Sequence, residues 1–97
     1  MYVVLLRYVK PLAVIDALLL EHRAFLDRHY AAGHFLASGA QTPRTGGVFL
    51  AHGLTREELD AVLAEDPFHR EGAAEYQVVT FTPTKYAPAL ASLINPA

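Results

Sequence analysis

The chain has 97 residues and no cysteine, which suits a single domain spanning 1–97 and excludes disulfides and thiolate metal sites. Its formal charge is −2, and its basic residues are scattered from Arg7 to Lys85 rather than gathered in a stripe, so nucleic acid is not an expected partner. Lys10, Asp16 and Glu21 break the longest apolar stretches and no charged leader precedes them, so the expectation is a soluble cytoplasmic protein without a membrane partner.

Residues 2–9, rich in β-branched and aromatic side chains, predict a first strand. Both of its faces, Tyr2/Val4/Leu6/Tyr8 and Val3/Leu5/Arg7/Val9, are largely apolar, as in a strand covered on both sides. Pro11 then opens a helix that runs to about Ala32 and stops at Gly33. Ile15, Leu18, Leu19, His22, Phe25, Leu26 and Tyr30 fall along one stripe of it, which puts a histidine on the buried side.

Two short strands follow at 34–40 and 46–52, joined by a loop carrying Pro43 and Gly46-Gly47, where glycine reads as a turn residue. Thr55-Arg-Glu-Glu58 is a capping box that starts a second helix with Leu59, Val62 and Leu63 on its apolar side. That helix is expected to end near Asp66, because Pro67 disfavours helical geometry in the residue before it. Residues 75–82 predict a fourth strand and 86–94 a short C-terminal helix.

The order β-α-β-β-α-β plus a tail helix predicts an α+β fold, a ferredoxin-like sandwich. Two helices cover one side of a four-stranded sheet and leave the other, also apolar, in need of a cover. A second copy of the chain supplies it most economically, so a homodimer or higher oligomer is expected. The 53% hydrophobic share is high for so short a chain and points the same way.

For chemistry, His22 reads as a general base or acid, or as a buried histidine satisfied by backbone or water. Asp66-Pro67-Phe68 holds a carboxylate in a defined place, with Phe68 able to wall off an apolar pocket; it also reads as a plain helix stop. Taken as a pair, both residues border the same sheet, where Asp66 could orient His22 and fix its tautomer. Tyr8 is expected to shape the pocket and Ser38, on a strand beside Gly39, to hydrogen-bond within it. Arg7 reads as a contact for an anionic substrate, a snorkelling edge residue or a dimer salt bridge.

No metal or cofactor is called for. His22 and His29 share a helix face, but seven residues is about 10 Å of rise, too far for one ion. His29 and His34 flank Gly33 and are expected at the surface, His52 and His69 at loop edges, with His69 near the pocket. The competing function is a non-catalytic module that binds a small molecule or serves dimerisation.

His22-Arg-Ala-Phe-Leu26, Ala32-Gly33, Leu36-Ala-Ser-Gly39, Gly46-Gly-Val-Phe-Leu50, Asp66-Pro-Phe68 and Gly72 together resemble the YciI-like family (YCII-related domain) over nearly the whole chain. The resemblance implies a dimeric α+β barrel of ferredoxin-like subunits with a site built on a His–Asp pair, at positions matching His22 and Asp66. It also implies acid/base chemistry on a small molecule, since a family member in chlorinated-aromatic degradation carries out a dehydrochlorination. One departure stands out. Family members often carry proline after the second-strand glycine, where this chain has Ala40-Gln41, so the pocket rim is expected to differ.

Overall fold

A computed structural model describes residues 1–94. The alternating apolar residues of the N-terminal run form β1 (Tyr2–Tyr8). It is followed by α1 (Leu12–Ala31), β2 (Phe35–Ala40) and β3 (Gly46–Ala51). Next come α2 (Arg56–Leu63), a one-turn helix α3 (Pro67–Arg70) and β4 (Ala74–Thr80). A 3₁₀ turn (Pro88–Leu90) leads into α4 (Ala91–Ile94), so the expected tail helix is shorter and starts later. The sheet order is β2-β3-β1-β4 and every pairing is antiparallel, which is the ferredoxin-like topology the element order predicted.

Local chemistry sets the boundaries. Gly33, at φ +80°, closes α1: its N–H bonds Tyr30 O at 3.0 Å and the His34 N–H bonds His29 O at 2.9 Å, a Schellman pair. The capping box of α2 forms in both directions, with Glu58 N to Thr55 Oγ1 at 3.1 Å and Thr55 N to Glu58 Oε1 at 2.9 Å. That helix ends at Leu63, earlier than expected, and the chain starts α3 with Asp66 as its cap and Pro67 in its first turn.

Pairing of Tyr2, Val4 and Leu6 with Ala51, Phe49 and Gly47 puts these residues on the inner face, under the helices. Val4, Leu6, Ile15, Phe25, Phe49, Leu59 and Phe68 are fully or almost fully buried there. Each large apolar side chain so buried contributes roughly 1.5–3 kcal/mol. A bulge between Phe35 and Ala37 lets Phe35 and Ser38 both face inward, which strict alternation forbids at that spacing. The outer face carries Val3, Leu5, Val48 and Leu50, half-buried, with Val79 and Phe81 each 42% exposed. Among the described residues no helix is long and apolar enough to cross a membrane.

Gly46 is a strand residue rather than a turn residue. It lies opposite Arg7, and a Cβ there would run into the Leu6 carbonyl of β1. Gly46→Ala is therefore expected to lower stability by about 1–3 kcal/mol by forcing β1 and β3 apart. Urea unfolding checks this, and an unchanged midpoint would show that the strands can yield.

Candidate active site

Helical spacing on α1 aims Ile15, His22, Phe25 and His29 at the sheet, and all four are buried. His22 is 8% exposed and Asp66 has no exposed surface. Their side chains meet: His22 Nδ1 lies 2.8 Å from Asp66 Oδ1. The same oxygen accepts the Phe68 backbone N–H at 3.1 Å, and Oδ2 accepts the Tyr76 hydroxyl at 2.6 Å. A carboxylate accepting all three bonds matches the tautomer of His22 that carries its proton on Nδ1.

The imidazole is also held flat. It stacks on Phe68 with ring centroids 4.1 Å apart and planes 13° from parallel, and Phe49 lies 6.0 Å away at 27°. No buried side-chain nitrogen or oxygen lacks a hydrogen bond among the described residues, and Nε2 has no partner. It is therefore the open nitrogen of the ring.

His22 lines a cavity of about 520 Å³ between α1 and the inner face of the sheet. Its apolar walls are Leu6, Leu19, Leu26, Phe49 and Phe68. Polar groups are few: Tyr8, Ser38, Arg23, and Arg44 paired with Asp16. That size and character suit a molecule of one ring. Gly39 and Gly47 line it too, and Gly47, on the inner face opposite Leu6, puts no side chain into it.

Four of the six expected site residues, His22, Tyr8, Ser38 and Phe68, line this one cavity. Asp66 stands behind His22 and out of the cavity. Arg7 is elsewhere: the pleat turns it to the outer face, where it pairs with Glu75 beside a second cavity of about 460 Å³. The ion pair Arg7 makes lies within the chain, an arrangement that none of its three readings described.

The remaining histidines bring a correction. His29, expected at the surface, is 8% exposed, and His34 is half-buried. The Schellman turn folds one back on the other, with their Nδ1 atoms 3.2 Å apart, and His29 Nε2 lies 3.1 Å from Glu65 Oε1. That bond to His29 holds the Glu65 carboxyl below its ordinary range. Among the described residues no group of three or more His, Asp or Glu side chains is arranged to hold a metal ion. His69 is exposed and packs against Tyr76, with centroids 5.4 Å apart.

Sequence reasoning missed Tyr76, Phe49 and Arg23. Tyr76 carried a signal: it falls opposite Leu6 on the inner face, and an inward phenol needs a hydrogen-bond partner. Burial pushes its pKa far up, and the adjacent Asp66 charge adds to the shift. Tyr76 therefore stays a neutral donor in the folded state. Above pH about 10 an unfolded tyrosine ionises while Tyr76 does not, so the unfolded chain binds fewer protons and stability must fall as pH rises. Urea midpoints taken from about pH 9 to about pH 11 should show this fall, and Tyr76→Phe should start less stable but fall less steeply.

A comparison with solved structures finds 5-chloro-2-hydroxyhydroquinone dehydrochlorinase (TftG) from Burkholderia phenoliruptrix AC1100, in complex with 2,5-dihydroxybenzoquinone. The two superpose with a TM-score of 0.70 over 84% of this chain and 93% of that one, at 19% identity. At that identity the likeness speaks for the fold. A comparison with curated proteins finds no match. Residues 1–82 match the YCII-related domain, more than four-fifths of the chain, and the protein belongs to that family.

Proposed function

We propose that this chain is an enzyme acting on a small, partly aromatic molecule by acid/base chemistry, with His22 as the base and Asp66 as the group that orients it. One observation carries this reading: a single ring has Nδ1 committed to a fully buried carboxylate and Nε2 left open in a cavity. In an elimination, Nε2 takes a proton from a substrate carbon, the C–H electron pair becomes the new double bond, and the leaving group departs with its own pair. Asp66 offsets the charge His22 gains, while Tyr76 and the Phe68 N–H keep the carboxylate from turning. Isomerisation or hydrolysis of a ring or lactone uses the same base. The name of the structural relative denotes loss of HCl, an elimination that also needs one positioned base.

Chloride release from 5-chloro-2-hydroxyhydroquinone is the first assay. His22→Gln should lower kcat by about 10²–10⁴. Asp66→Asn, which can still cap α3 through its one oxygen while its amide nitrogen donates to the Tyr76 oxygen, should lower it while leaving the fold intact. Imidazole ¹⁵N spectra should show neutral His22 protonated on Nδ1 in the wild type and mixed tautomers in Asp66→Asn. Full turnover in His22→Gln would remove that residue from the mechanism.

The same reading includes a homodimer formed through the outer face of the sheet. Val3, Leu5, Val48 and Leu50 make a contiguous apolar surface there, bordered by exposed Val79. Light scattering after size exclusion should return twice the 10.6 kDa chain mass. Leu50→Glu, which places a charge in that face, should return the mass of one chain; a wild-type monomer would overturn the assignment.

A further inference from the structure

The arginines of this chain are almost all neutralised in place. Arg7, Arg28, Arg44, Arg56 and Arg70 each reach a carboxylate: Glu75, Glu65, Asp16, Asp60 and Glu21 respectively. Arg23 reaches none among the described residues, and it lines the cavity that holds His22. A partner stands close at hand. Asp27 lies four residues further along α1, at the spacing of an intrahelical ion pair, yet the two do not pair.

The other charges on the cavity wall cancel, because Arg44 is bonded to Asp16. Arg23 is therefore the one cation of the wall without a carboxylate partner among the described residues, set among apolar side chains and the hydroxyls of Tyr8 and Ser38. Guanidinium groups carry a planar fork of donors that matches a carboxylate or an enolate-like pair of oxygens. Arg23 follows His22 on the helix, turned by about 100° around its axis, so the two reach a ligand from neighbouring directions. The apolar walls, Phe49 and Phe68 foremost, fit the body of a ring.

We propose that the cavity takes a small planar ring bearing one negative charge, a carboxylate or a phenolate or enolate oxygen, and that Arg23 is the residue that binds this charge. This rests on the proposed acid/base role of the same cavity and names the substrate class it serves. An electrostatic anchor beside the base holds the ring in one orientation, with its opposite part free to face Nε2. It also discriminates against neutral rings of the same shape, which gain the apolar contacts but not the ion pair.

Benzoate and benzyl alcohol share a ring and differ in charge, which makes them suitable probes for NMR titration of the full chain. Benzoate is expected to shift the Phe49, Phe68 and His22 signals and to bind about tenfold more tightly than benzyl alcohol, with the advantage shrinking as salt is added. Arg23→Gln should erase the advantage at unchanged Tm, since the side chain is exposed and unpaired, and Arg23→Lys should keep part of it. His22→Gln should retain it. Equal binding of the two probes by the wild type, benzoate shifts that map outside the cavity, or undiminished benzoate binding by Arg23→Gln would each overturn the proposal. Because these readouts need no turnover, a failure of the acid/base reading would appear separately, as undiminished kcat in His22→Gln.

Discussion

A carboxylate with no exposed surface has to find its hydrogen bonds inside the protein, and Asp66 finds three from three separate parts of the fold. The first turn of α3 supplies a backbone N–H, β4 supplies a phenol and α1 supplies an imidazole. Leaving any of these unmade would cost about 1–3 kcal/mol or more, since the stranded group is charged. The convergence of α1, α3 and β4 on Asp66 thus ties the buried edge of the site to the stability of the domain. It also explains the short helix: Asp66 caps it, and Pro67 gives it a preformed first turn.

From that constraint the rest of the site follows. With Nδ1 held by Asp66 and the ring pressed flat on Phe68, His22 has one freedom left, which is what Nε2 meets in the cavity. The cavity itself is made by omission as much as by walls. Gly47 brings no side chain into it, and the bulge in β2 turns Ser38 inward nearby. Ser38 shares a hydrogen bond of 2.7 Å with the Tyr30 hydroxyl, which fixes the orientation of both groups. Preorganisation of this kind is what the proposed role of His22 as a base requires.

Much of this was legible in the residues. The capping box at Thr55 announced α2, Gly33 announced the end of α1, and the stripe on α1 placed His22 inward, all from local rules. Asp66 and His22 were each a weak signal, a histidine among buried apolar positions and an acid locked before proline, and their shared border on one sheet, with the family motifs, made them a pair. Other features escaped because their meaning is not local. His29 sits one helical repeat beyond His22, yet the pairing that buries it depends on a turn folding His34 back and on Glu65 from beyond α2. Arg7 had three readings and only register assigned it the outer face, and Gly46 read as a turn until β1 passed against it.

The sequence by itself determined the element types, their order, the helix caps and the inward histidine, because periodicity and capping act over three to seven residues and need no distant partner. It also carried the family, through motifs spread along residues 1–82. Only the tertiary structure decided that Nδ1 and not Nε2 is committed, that Tyr76 completes the Asp66 shell, and that Arg23 is the arginine left unpaired at the cavity. Those outcomes depend on which side chains from remote segments arrive within about 3 Å of one another. Sheet register and helix packing set such distances, and no window of sequence contains them.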